Sequence, residues 1–76
     1  MKRVAEILKG IRPEFDFTTS NDFIGDGMLD SFDMVLLVSA LDKAFSVSID
    51  GVEIIPENFK NFRTIEALLR KHGVQA

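Results

Sequence analysis

The chain has no cysteine among its 76 residues, which excludes disulfide staples and thiolate-ligated zinc. Stability must then come from packing, and a domain of this size has only a modest core to pack. A hydrophobic content of 46%, with seven Phe, can supply that core. The length suits one domain over residues 1–76 and leaves no room for a second. Long apolar runs are missing as well, so no stretch reaches the length of a membrane span. Met1-Lys2-Arg3 resembles the start of a signal peptide, but Glu6, Lys9 and Arg12 interrupt the apolar stretch that should follow. A soluble, cytoplasmic protein is expected. Histidine occurs once, as His72, and no Gly-x-Ser-x-Gly turn is present, which argues against a hydrolase.

Basic residues are nearly absent from the middle of the chain. Between Glu14 and Glu57 there are ten acids and a single base, Lys43, for a net −9, whereas residues 1–13 and 58–76 each carry four bases and one acid, +3 apiece. An acidic middle disfavours nucleic acid and favours basic protein surfaces as partners. Lys60, Arg63, Arg70 and Lys71 are too spread out to read as a nucleic-acid patch. No internal repeat or low-complexity tract appears.

The apolar spacing predicts helices. Val4, Ile7, Leu8 and Ile11 form an i, i+3, i+4, i+7 stripe, which Pro13 ends. Residues 13–30, punctuated by Pro13, Thr18, Thr19, Ser20, Asn21, Gly25 and Gly27, read as a long ordered loop tacked down by Phe15, Phe17, Phe23, Ile24, Met28 and Leu29. Loops this long in so small a domain are often functional. A second helix is expected from about Ser31 to Phe45, with Asp30 as its N-cap and Asp33 adding negative charge at the positive end of its dipole. Asp50-Gly51 between Val47/Ile49 and Val52/Ile54 is a hairpin signal. An isolated hairpin is weakly stable, so a loop with a few extended pairs is the preferred reading. Pro56 should open a short helical turn anchored by Phe59. A last helix is expected from about Thr64, as cap, to His72, ended by Gly73. The fold class is therefore all-α, three main helices plus one short one, with the long loop between the first and second.

Chemistry concentrates in Gly27-Met28-Leu29-Asp30-Ser31-Phe32-Asp33, which puts a serine hydroxyl at the start of a helix behind a glycine-bearing loop. Free N–H groups and the helix dipole favour an anion there. Taken alone, Asp-Ser before an apolar helix is most simply a cap. Helix geometry, at about 100° per residue, places Met34, Leu37, Val38, Leu41 and Phe45 on one face and Phe32, Val35, Leu36 and Ser39 on another. The first face suits a core. The second, beside Ser31, suits docking of a partner. An EF-hand reading, with Asp22, Asp26, Gly27, Asp30 and Asp33 in register, fails at Ile24, which has no side-chain oxygen, and at Asp33, where a bidentate Glu belongs.

Asp30-Ser31-Phe32 resembles the Asp-Ser-Leu motif of acyl and peptidyl carrier proteins, in which the serine carries phosphopantetheine. Asp30 to Phe45, the loop with Ile49, Pro56 to Phe59, and Thr64-Ile65-Glu66-Ala67-Leu68 look like the second, third and fourth helices of that family. The Phe23 to Leu29 approach, with its Gly-Asp-Gly-Met-Leu run, looks like the loop before the modified serine. The resemblance implies a small four-helix bundle, a non-catalytic and monomeric carrier, and 4′-phosphopantetheine on Ser31 with Asp30 completing the motif. The arm would hold an acyl group as a thioester, its sulfur brought by the cofactor because the chain has none, in fatty-acid, polyketide or related biosynthesis. An aminoacyl or peptidyl cargo, such as D-alanine, is the alternative within the family; an interaction module without prosthetic group is the alternative outside it. Implied partners are a phosphopantetheinyl transferase and loading and transfer enzymes meeting Phe32, Val35, Leu36 and Ser39. Neither nucleic acid nor membrane is expected. Phe32 stands where Leu is usual, Leu36 where an acid is common, and Lys43 replaces acid with base, so partner recognition should lean on apolar contact.

Overall fold

The computed structural model describes residues 2–74. Among these residues three α-helices form where the apolar stripes lie: α1 over Lys2–Ile11, α2 over Ser31–Phe45 and α3 over Phe62–Lys71. Single 3-10 turns at Phe17–Thr19, Gly51–Glu53 and Pro56–Asn58 interrupt the connections. No strand occurs among the described residues. The stripes converge on one core in which Val4 and Leu8 of α1, Leu37 and Leu41 of α2, and Ile65 and Leu69 of α3 are fully buried beside Phe23 and Phe59.

Two arginines show how α1 lies on α2. Arg3 donates to the carbonyl of Ala44 at 2.8 Å and sits 4.9 Å from the centre of the Phe45 ring, at the end of α2. Arg12 pairs with Asp33 in the first turn of α2. The helices are therefore antiparallel, and the two stretches match in length at roughly 14 and 17 Å.

The 13–30 loop is ordered by aromatic packing. Phe15, Phe17, Phe23 and Phe62 form an edge-to-face series with centroids 6.3, 5.0 and 5.2 Å apart, the geometry ring quadrupoles prefer. The Phe23 amide donates to the Lys60 carbonyl at 2.6 Å, and the Phe23 carbonyl accepts from the Met28 and Leu29 amides. The glycines here have distinct reasons. Gly25 donates its amide to Asp22 Oδ1, and a Cβ on it would collide with the Asp22 carboxylate. Gly27 has φ of 75°, a left-handed conformation costly for other residues.

Several expectations change in detail. The hairpin does not form: Asp50-Gly51 leads into a 3-10 turn instead, in which Glu53 Oε1 accepts from the Asp50 amide at 3.1 Å. Nothing pairs as extended strand in this stretch, because its polar groups have other partners. Asp42 Oδ1 of α2 takes the Ile49 amide, and buried Glu53 takes His72 Nε2 at 2.8 Å and faces Lys71 Nζ at 3.4 Å. The short helix at Pro56 is one 3-10 turn, with Phe59 fully buried behind it. The cap of α3 is Asn61, three residues before the predicted cap Thr64. Asn61 Oδ1 accepts from the Thr64 amide, and Thr64 Oγ1 accepts from the Asn61 amide, so Thr64 is the third helical residue of a capping box. The helix closes with Gly73, at φ of 86°, in paired bonds from Gly73 to Arg70 and from Val74 to Leu69, a Schellman motif. His72 is the capping residue there, one position past the helix.

Candidate functional site

Ser31 is the first residue of α2 and is exposed. The helix starts here because Asp30 takes extended backbone angles while its Oδ1 accepts from the Asp33 amide at 2.9 Å. Asp33 Oδ2 accepts in return from the Asp30 amide at 3.2 Å. This reciprocal box normally uses Glu or Gln at its third position; here the shorter Asp fills it, and the same carboxylate oxygen also meets a cation. Arg12 Nε donates to the same Asp33 Oδ2 at 2.9 Å.

Asp33 is 3% exposed, and a buried carboxylate requires a partner that satisfies it. The Arg12 guanidinium also approaches Asp30 Oδ2 at 3.5 Å and Glu14 Oε2 at 3.4 Å. Its hydrogen bond to Asp33, followed by that carboxylate's charge, pushes Arg12 further above its already high range. The Asp30 carboxyl is held below the ordinary carboxylate range, chiefly by the Asp33 amide and, to a smaller extent, by Arg12. The corner thus holds ionised Asp30 beside the positive end of a helix dipole. Its side-chain hydrogen bonds run among Arg12, Asp30 and Asp33 and leave the Ser31 hydroxyl outside them.

Beside Ser31 lies the second apolar face of α2. Phe32 is 69% exposed, Val35 55% and Leu36 41%, and Ser39 is exposed with them. Met34, Leu37, Val38 and Leu41 are buried on the other face, and Phe45 is half-buried. The two-faced reading of the helix therefore stands. Phe32, Val35 and Leu36 thus form a group of large exposed apolar side chains next to one serine.

Three features of the site escape sequence reasoning. Arg12 is in the sequence only the residue before the proline that ends the first stripe, and nothing there joins it to Asp33, 21 residues on. Asp33 counts in the sequence as one of the ten acids of the middle stretch, yet it is enclosed, and Asp42, another of them, accepts the Ile49 amide. Val52, 79% exposed, and Ile55, 42% exposed, add apolar surface in the segment after α2. The carboxylates of the EF-hand register are dispersed in use: Asp22 holds Gly25, Asp26 accepts from the Ser20 hydroxyl, and Asp33 holds Arg12. Among the described residues no three acids or histidines gather as a metal site, and no helix is long and apolar enough to cross a membrane. No protein-family model matches this chain, and no curated protein or solved structure matches it.

Proposed function

We propose that this chain is a carrier protein of the acyl-carrier type, with 4′-phosphopantetheine attached to Ser31. The observation that carries this reading is the exposed serine at the first position of a box-capped helix, flanked by the exposed Phe32, Val35 and Leu36. Such a serine fits the group: its hydroxyl is outside the capping network, and the free amides of the first turn favour a phosphodiester at that point. When bound, the group supplies the thiol that the chain lacks and so a thioester to an acyl or aminoacyl cargo. Ser31 would hold the arm, Asp30 would cap the helix beneath it, and Phe32, Val35, Leu36 and Ser39 would receive partner enzymes. The four-helix arrangement of such carriers, with Pro56–Asn58 as the short member, and a cytoplasmic location belong to the same proposal. The chain performs no catalysis of its own in this reading; tethering raises the effective concentration of the cargo at each partner.

The test is incubation with coenzyme A and a phosphopantetheinyl transferase, followed by intact-mass measurement. One added arm is expected on the wild type and none on Ser31→Ala, with circular dichroism unchanged. Addition to Ser31→Ala would move the site elsewhere and overturn the assignment. The second reading, an interaction module without prosthetic group, draws on the same exposed apolar side chains; it predicts no added mass on either protein.

A further inference from the structure

We propose that Arg12 is a positioning residue for modification of Ser31: its guanidinium fork holds the first turn of α2 in the geometry that an incoming transferase requires. The inference rests on the carrier reading. Its structural basis is the arrangement around Asp33, whose Oδ2 accepts from both Arg12 Nε and the Asp30 amide while Arg12 Nη2 stands 3.5 Å from Asp30 Oδ2. One rigid fork thus touches both acids of the capping box, which bracket Ser31 in the chain. Arg12 is itself anchored, because its amide donates to the Leu8 carbonyl at 2.9 Å and Pro13 follows it. The start of α2 is therefore built on the end of α1, from a position 21 residues earlier.

Removing the fork leaves Asp33 enclosed without its cation and takes the same cation from Glu14 and Asp30. A carboxylate in that state takes up a proton or reaches water, and it reaches water by opening the first turn. The box then breaks, and Ser31 loses its fixed direction. In the transfer step an Oγ–phosphorus bond forms as a phosphorus–oxygen bond of the coenzyme A pyrophosphate breaks. Adenosine bisphosphate leaves, and the hydroxyl proton passes to the transferase. Ser31 must present Oγ in line with that bond, so a frayed turn lowers the fraction of chain ready to bind productively. Lysine keeps the charge but has no fork, so it cannot span the two carboxylates in the same way.

The experiment compares Arg12→Met, Arg12→Lys and Val4→Ala with the wild type, using coenzyme A, a transferase and the full chain. Val4 is fully buried in α1, so Val4→Ala lowers stability without touching the box. For Arg12→Met the apparent KM for the carrier should rise about fivefold or more with kcat little changed, as expected when the competent fraction falls. Arg12→Lys should recover less than half of that loss, and Val4→Ala should behave as wild type below its melting temperature. Amide hydrogen exchange at Asp30 and Asp33 should quicken in both Arg12 variants before any modification. Wild-type kinetics in Arg12→Met, or full rescue by lysine, would overturn the positioning role while leaving the carrier reading intact. Absence of modification in the wild type would remove that reading and the positioning role with it. Unchanged exchange at Asp30 and Asp33 would overturn the clamp independently of any modification.

Discussion

Leu41 and Leu36 offer the sharpest test of the two-faced α2, because they are the same residue type on one helix and differ in where they point. Leu41 is fully buried and Leu36 is 41% exposed. Truncating Leu41 to alanine removes three carbons from a dry site, which at roughly 0.8 kcal/mol per methylene is about 2.4 kcal/mol of lost transfer free energy. The cavity left behind adds to this, and comparable Leu→Ala changes span about 2.7–5.0 kcal/mol. A chain of this length has on the order of 4–11 kcal/mol of total stability, so Leu41→Ala removes a large share of it. At about 4–8 °C per kcal/mol for a domain of this size, the melting temperature should fall by at least 10 °C. Leu36→Ala should cost below about 1 kcal/mol, since leucine and alanine have similar helix propensity and little area is lost. Urea unfolding followed by circular dichroism measures both, with an unchanged m-value as the check that the denatured state is the same. Equal costs for the two leucines, or a cost below about 1 kcal/mol for Leu41→Ala, would refute the assignment of faces.

The remaining predictions concern docking, backbone geometry and pH. Val35→Asp or Leu36→Asp should slow modification or loading at least about tenfold, equivalent to about 1.4 kcal/mol, with little change in melting temperature; normal loading by both would remove the docking face, and unfolding of both would make that face core. Gly27→Ala should destabilise by about 1–2 kcal/mol, because its left-handed backbone rather than crowding requires glycine: nothing lies within 4 Å of a Cβ there. Ser46, at φ of 55° past the end of α2, should respond in the opposite sense, with Ser46→Gly stabilising by up to about 1 kcal/mol. Thermal melts of the two variants decide the point, and equal signs would contradict it. The Glu53 carboxyl is held below its ordinary value of 4.5, first by the Asp50 amide and then by His72, and the Asp16 carboxyl lies below 3.8 through the Thr18 hydroxyl and amide. Depressed folded-state values mean that the unfolded chain binds protons first, so this stabilisation is present above the ordinary carboxylate values and is lost as pH falls below them through the lower folded-state values. Urea midpoints should therefore decline below about pH 4.5, less steeply in Glu53→Gln; an identical slope in that variant would exclude Glu53 as a contributor.

The extent of α2 was legible because its signals are local. An aspartate cap, a repeat of apolar residues near 3.6 and a buried face all act within a few residues of one another, and Ser31–Phe45 is the helix observed. The same holds for Gly73, whose φ of 86° answers the need for a left-handed residue past a helix end. The start of α3 was read late because Asn61 and Thr64 both have capping chemistry, and they form one box in which Thr64 plays the second part. The Asn61 amide group also donates to the Asn21 carbonyl, a contact 40 residues away that residue type cannot announce.

Composition and period by themselves determined that this chain is helical, where its second helix begins, which face of that helix is buried and that Ser31 opens it. Tertiary structure decided what those helices are fastened to. Arg12 meets Asp33 across 21 residues and Arg3 meets Ala44 across 41, and such pairings depend on how α1 lies on α2, which no local propensity encodes. It also decided between hairpin and turn at Asp50-Gly51, because a two-residue turn signal is worth little once Glu53 finds His72 and Lys71 on α3 and its flank. Charge alone made Asp33 look available to partners; burial beside a guanidinium makes it a structural acid, since an enclosed carboxylate is stable only where a cation and an amide both reach it.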